Sequence, residues 1–424
     1  MLDISRPQGE FITSPHPFPA IIGGFGSGKS QAGSYRLLKL LMPEAGLRVS
    51  HFFPSYKLAK RRGLVGYVKD LERMGIDYRL NKSDMTIYVP QVDGTIFLET
   101  YHEPDAIVSF EVAHAVVDEL DTLELEKAEY VWKKITERVR QTCKGINTLG
   151  CVTTPDQGKA GFCFKKWGSE DALKNGYHYI RASTRSNPFL PPGYADQITQ
   201  NYDKVAVEAF VEGSWVAWNQ TGLIYRDYGP ANYTDTVIAV HEQLLWFHDF
   251  NYTPLSSGIA VRRGNSLFLL DEIILTSAVA RQSALEFVEK FKTHQNKNVL
   301  IYGDPAGRAG EKHGHQSDYT EIESVLRAHG WKFERRVKMS TRSIKDGQNA
   351  VRAKILNAKG ESSLFVNPQC AKWIHDGFTR CKLKDGSTFL EDDSDDHQHI
   401  MSAVRYMVDY EFPVLGGGGG VRRN

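Results

Sequence analysis

The chain has 424 residues, of which 41 % are hydrophobic and 24 % charged, and carries a net charge of +1. It is too long for one ordinary core and has the composition of a globular protein. It lacks the global positive field of a chain that binds nucleic acid by charge alone. Five cysteines, none spaced C-x-x-C, argue against a disulfide framework or a zinc site and fit a reducing intracellular setting.

The first twenty residues have no basic-then-apolar signal pattern, and no apolar run is long enough to cross a membrane. "AIIGG" (20–24) is expected to be a strand and "SQAGSYRLLKLLM" (30–42) a helix, with Leu37, Leu38 and Leu41 at helical spacing. Further strands are expected at 48–54, 95–100, 114–119 and 145–155, alternating with helices as in a parallel α/β sheet. A passage rich in proline and turn residues, 181 to about 235, is expected to be a connector. A second pattern follows: strands at 242–251, 257–264 and 266–274, a helix near 280–294, a strand at 298–307 and a last helix at 399–411. Three strands, a helix and a strand open an RNase-H-like sheet. The glycine-rich end, 415–424, is expected to be a flexible tail.

Between the first strand and the first helix stands "GGFGSGKS", with Gly23, Gly28, Lys29 and Ser30 at the spacing G-x-x-x-x-G-K-S. Gly23, Gly26, Ser27 and Gly28 would let backbone amides wrap a phosphate chain. Lys29 would meet the β- and γ-phosphates of ATP, and the Ser30 hydroxyl would meet Mg2+. The apolar run "AHAVVDE" ends in Asp118, a magnesium partner, and Glu119, which would activate the attacking water. "VTTP" (152–155) ends another strand, where either Thr153 or Thr154 would sense the γ-phosphate. For the arginine that offsets developing charge, Arg138, Arg140, Arg61 and Arg62 are all open.

Asp249 and Asp304 end expected strands in the second half, and "LEDDSDDHQH" precedes the last helix. Such carboxylates can converge on a pair of divalent metals, Mg2+ or Mn2+, for phosphodiester cleavage. Asp395 and Asp396 are both open as the third ligand. Asp271 and Glu272 are candidate outer ligands, and His397 and His399 are expected to be exposed. The basic runs 57–62 and 335–345 read first as solvated surface.

A P-loop ATPase followed by an RNase-H-like acidic triad resembles the large terminase subunit of tailed double-stranded DNA phages. The resemblance extends through the connector "SNPFLPPGYADQITQNYDKVAVEAFVEGSWVAWNQTGLIY" and "DDHQHIMSAVRYMV". It implies an ASCE-type P-loop ATPase motor (1–180), a connector (181–235), an RNase-H-like nuclease (236–414) and a tail (415–424). By motif, Asp118 and Glu119 are the Walker B pair, Thr153–Pro155 match the coupling motif, and Asp249, Asp304 and Asp396 match the nuclease carboxylates. The implied cofactors are ATP with Mg2+, and two Mg2+ or Mn2+ in the nuclease. The implied partners are double-stranded DNA without sequence preference, a small terminase subunit and the portal of the procapsid. The chain would form a homo-oligomeric ring when docked in the host cytoplasm, with a monomer open for the isolated chain, and be absent from the mature virion. Two departures stand out. Ser402 occupies the place where relatives carry an aspartate before Arg-Tyr, and the segment before Walker B lacks an arginine that some relatives have there. The rival expectations are a DNA translocase or helicase with a non-catalytic nuclease-like platform, a junction or repair nuclease with a regulatory ATPase, and a scaffold without activity.

Overall fold

The computed structural model describes residues 4–218, 222–251, 253–308, 317–339, 343–384 and 387–413; the expected tail at 415–424 lies outside them. The chain forms two compact units. One comprises Met1–Ala195 with Val205–Trp218, the other Asp196–Lys204 with Asn219–Asn424. The expected connector is therefore not a separate body. Its start, Arg181–Ala182, completes a strand of the first unit, and the rest is divided between the two.

The first unit is built on an eight-stranded sheet. Its strands are β1 (Phe18–Gly23), β2 (Arg48–Phe53), β3 (Arg79–Asn81), β4 (Thr86–Val89), β5 (Gly94–Thr100), β6 (His114–Asp118), β7 (Thr148–Thr153) and β8 (Tyr177–Ala182), in the order β3-β4-β5-β2-β6-β7-β1-β8. Every pairing from β5 to β8 is parallel, and β3 and β4 add an antiparallel edge. The near-continuous apolar runs of β1, β6 and β7 follow from burial on both faces, as a helix-covered parallel sheet requires. The order places β7 between the P-loop strand β1 and the Asp118 strand β6, the interposed strand of an ASCE-type ATPase fold.

The helix Lys29–Leu41 packs over the sheet. Gly33 permits this, because a Cβ there would stand 3.1 Å from His51 and Val116. Sequence reading passed over the helix Arg6–Thr13, whose last carbonyls are satisfied by a buried arginine. Arg36 donates to the carbonyls of Phe11 at 2.8 Å and Ser14 at 3.0 Å. Burial draws the Arg36 pKa down to about 10, which still leaves it charged at neutral pH.

The second unit is a six-stranded sheet of β9 (Leu244–Asp249), β10 (Leu255–Arg263), β11 (Ser266–Leu275), β12 (Asn298–Gly303), β13 (Lys332–Arg335) and β14 (Leu364–Val366), in the order β13-β12-β9-β10-β11-β14. β9, β10 and β11 are an antiparallel meander. β12 returns parallel to β9, and β13 parallel to β12. This is the RNase-H-like arrangement, with the helix His397–Glu411 packed on β9, β10 and β12.

Candidate functional sites

At the carboxyl end of β1 the chain leaves no room for side chains. A Cβ on Gly23 would stand 2.4 Å from the Ala182 carbonyl oxygen, and one on Gly24 would stand 2.4 Å from the Val211 carbonyl oxygen. Gly28 caps the following helix with φ at 87°, a left-handed conformation that favours glycine. The result is a backbone cradle at a helix N-terminus, the arrangement that binds phosphate. Lys29 is buried and donates from Nζ to the Gly24 carbonyl at 2.9 Å, and Ser27 donates to the same oxygen at 2.8 Å. Burial pulls the Lys29 pKa down, opposed by Glu119 and Asp118.

Asp118 is buried at the end of β6. Neither of its carboxylate oxygens has a hydrogen-bond partner among the described residues. Burial raises its pKa and Glu119 adds to the rise, while the nearby Ser30 hydroxyl, Arg62 and Lys29 pull against it. An orphaned buried carboxylate costs on the order of 1–3 kcal/mol or more, and a cation beside it removes that cost. Asp118 and Ser30 thus fit a magnesium ion chemically.

Glu119 follows with φ at 57°, a strained conformation for glutamate that costs about 1–3 kcal/mol and is common where a site needs a side chain re-aimed. Several hydrogen bonds hold it there. Its amide donates to the Val152 carbonyl at 2.7 Å. The Tyr101 hydroxyl sits 2.7 Å from the Asp118 carbonyl oxygen and 3.1 Å from that of Glu119. The Thr154 amide donates to the Glu119 carboxylate at 3.3 Å. The two threonines differ. Thr153 accepts from the Asp121 amide and donates to the Thr154 carbonyl, whereas the buried Thr154 hydroxyl has no partner among the described residues.

The four arginines separate clearly. Arg62 approaches Glu119 at 3.9 Å from a π-helical turn, Ala59–Leu64. Gly63 lets that turn lie against Phe53, where a Cβ would stand 2.7 Å from the ring. Arg61 is exposed. Arg138 and Arg140 lie where Val112 bridges Val139, at the amino end of β6, and Arg140 pairs with Glu111. Asp118 is at the opposite end of that strand, so neither reaches the nucleotide site of its own chain.

In the second unit Gly303 pairs with His248, which brings Asp304 and Asp249 to register-adjacent ends of two parallel strands. The Tyr406 hydroxyl feels both charges: burial raises its pKa first, then Asp304 and, more weakly, Asp249. One Asp304 oxygen accepts from the Ala306 amide at 2.8 Å. The acidic loop behaves unlike the expectation. Asp395 commits its carboxylate to the His397 amide at 3.0 Å, the His397 ring at 2.5 Å and Arg380 at 3.4 Å. Asp396 is exposed at the start of the helix. His399, rather than either aspartate, reaches Asp249, with Nδ1 at 3.3 Å from its carboxylate and 2.7 Å from the Asn251 amide. His397 is also not exposed; it stacks on Trp373 with ring centroids 4.4 Å apart. Asp271 pairs with Lys290, and Glu272 accepts from the Trp373 and Ile374 amides at a helix start.

Among the described residues no three His, Cys, Asp or Glu side chains form a metal-holding cluster. Asp249 and Asp304 stand at adjacent strand ends, with His399 beside Asp249.

Residues 20–227 match the family model described as terminase large subunit, T4likevirus-type, N-terminal. Over these residues the chain is similar to the large subunits of terminases. The fold resemblance runs further. A large terminase from a thermophilic bacteriophage shares 16 % identity with a TM-score of 0.66, over 96 % of this chain and 99 % of that one. The complex of that terminase with ATP-gamma-S gives 14 % and 0.65, and its complex with ADP 15 % and 0.65. At such identity the likeness is one of fold. No curated protein matches the chain.

Within the first unit, sequence reading missed Tyr101 and Gln8. Gln8 accepts from the Ser5 amide at 2.7 Å and donates to the Gly28 carbonyl at 3.0 Å, tying the first helix to the P-loop. A glutamine three residues after a serine is a capping signal, but nothing local reveals its reach to the P-loop. The basic run at 335–345 is not a free cationic surface in its described part. Arg335 pairs with Glu323, Arg336 with Glu411, and Lys338 with Asp409.

Proposed function

We propose that this chain is a phage DNA-packaging motor. It would hydrolyse ATP to move double-stranded DNA into a procapsid and cut that DNA with a divalent metal when packaging starts and ends. The observation that carries the proposal is the pairing, in one chain, of a complete nucleotide cradle with register-adjacent aspartates on an RNase-H-like sheet. Lys29 and the loop amides would bind the phosphates, with Asp118 and Ser30 holding Mg2+. Glu119 would orient the attacking water, Thr154 would report the γ-phosphate, and Arg62 would offset charge in cis. In the second unit Asp249 and Asp304 would supply carboxylates for Mg2+ or Mn2+. Contacts to DNA would be mostly to phosphate, weak in sequence preference and sensitive to salt. A small terminase subunit would choose the site, the portal would be the docking partner, a homo-oligomeric ring the working form, and the host cytoplasm the place.

A second reading, a translocase whose second unit does not cut, draws support from the missing three-residue metal cluster among the described residues. One experiment separates them: plasmid cleavage with Mg2+ or Mn2+, with ATPase measured on the same samples. Under the motor reading Asp304→Ala abolishes cutting and spares ATPase, while Lys29→Ala lowers ATPase by about 10²–10³-fold or more and spares cutting. If wild type cuts with neither metal while ATPase persists, the translocase reading replaces it.

A further inference from the structure

Beside the P-loop helix lies a cavity of about 190 Å³, bounded by that helix, β2 and the helix Val65–Met74. Its lining includes Ser30, Ser34, His51, Arg62, Lys69 and Arg73. Ser30 and Arg62 also belong to the nucleotide site, where Arg62 reaches Glu119 at 3.9 Å. The cavity is therefore a side chamber of the place where a terminal phosphate would be cut.

The lining chemistry is that of an anion site. Three cations face one carboxylate, Asp70, which accepts from the Tyr35 hydroxyl at 3.1 Å. Burial raises the Asp70 pKa, opposed by the Tyr35 hydrogen bond, Arg73 and Lys69. His51 is wholly buried, and burial holds it neutral with a pKa of about 3. Its Nδ1 lies 3.2 Å from the Tyr67 hydroxyl, and its Nε2 has no partner among the described residues. With Tyr67 assigned as the donor to Nδ1, the ring hydrogen sits on Nε2, a buried donor without an acceptor. The three cations and the Ser30 and Ser34 hydroxyls together match a tetrahedral oxyanion.

We propose that this chamber receives the inorganic phosphate released by hydrolysis. The proposal rests on the ATPase reading above. When water bonds to the terminal phosphorus and the bond to the ADP oxygen breaks, the product phosphate moves past Ser30 and Arg62 into the chamber. This vacates the terminal-phosphate position while ADP is still bound. Phosphate departure then becomes a step separate from ADP departure.

Gly66 supplies the test. It lines the chamber, has nothing within 4 Å of where a Cβ would stand, and has no left-handed φ. Gly66→Glu introduces a carboxylate there, and Gly66→Gln introduces the same bulk without charge. The full chain is saturated with ATP-gamma-S, so that the cradle and the terminal-phosphate position are filled. Inorganic phosphate is then titrated by calorimetry. Wild type and Gly66→Gln should bind phosphate, and Gly66→Glu should bind it at least about tenfold more weakly. In steady-state assays, inhibition by added phosphate should be relieved in Gly66→Glu alone. Equal phosphate affinity in all three proteins, or none in wild type with ATP-gamma-S bound, overturns the chamber and leaves the ATPase reading standing. Failure of wild type to bind ATP-gamma-S overturns both.

Discussion

The nucleotide site of the first unit and the acidic site of the second are held by different means. In the first, main-chain atoms do most of the positioning: glycines too crowded for a Cβ, a helix N-terminus, and a strained Glu119 pinned by Val152 and Tyr101. The Asp118 carboxylate is buried with Glu119, Ser30, Arg62 and Lys29 around it. In the second, strand register brings Asp249 and Asp304 together, but the remaining acidic residues are solvated or engaged by neighbours. A site built from backbone is complete before its ligand arrives. A site built from side chains at strand ends depends on which rotamers and neighbours those side chains take. The first arrangement gives strong electrostatic preorganisation.

The largest effect that would test this contrast is Glu119→Gln. If the nucleotide site is preassembled, kcat for ATP falls by about 10²–10⁴-fold while ATP-gamma-S affinity changes little. Loss of nucleotide binding instead would show that Glu119 shapes the cradle rather than the chemistry.

A smaller effect discriminates within the second site. His399→Ala should reduce cleavage and Mn2+ binding with little change in thermal stability, since His399 lies against Asp249. Asp395→Ala should do the reverse, costing about 1 kcal/mol or less of stability through His397 and Arg380 and leaving cutting largely intact. Cleavage lost on Asp396→Ala but kept on His399→Ala would return the third role to the aspartate.

The smallest expected effect is a pH slope. The hydrogen bond to Asp249 raises the His399 pKa above its usual 6.5. The protonated form is therefore favoured in the folded state. Its contribution to stability is full below about pH 6.5 and fades as pH rises through the raised folded value. In EDTA, the difference in Tm between wild type and His399→Gln should shrink between about pH 6 and pH 9. A constant difference would place the contact outside the folded-state electrostatics.

What the sequence by itself determined is the local part of this molecule. G-x-x-x-x-G-K-S between a strand and a helix, an apolar run ending in Asp118–Glu119, and two strands ending in Asp249 and Asp304 were legible because hydrophobic period, glycine conformation and strand ends are encoded within a few neighbouring residues. Tertiary structure decided everything that depends on distant segments. It placed Arg62 beside Glu119, while strand direction puts Arg138 and Arg140 at the other end of β6. It set Thr153 and Thr154 to different work. It committed Asp395 to His397 and placed His399 at Asp249, across 150 residues of sequence. The physical reason is the same in each case: a motif specifies which group is present, but a hydrogen bond or ion pair is selected by which other groups the packed fold brings within reach.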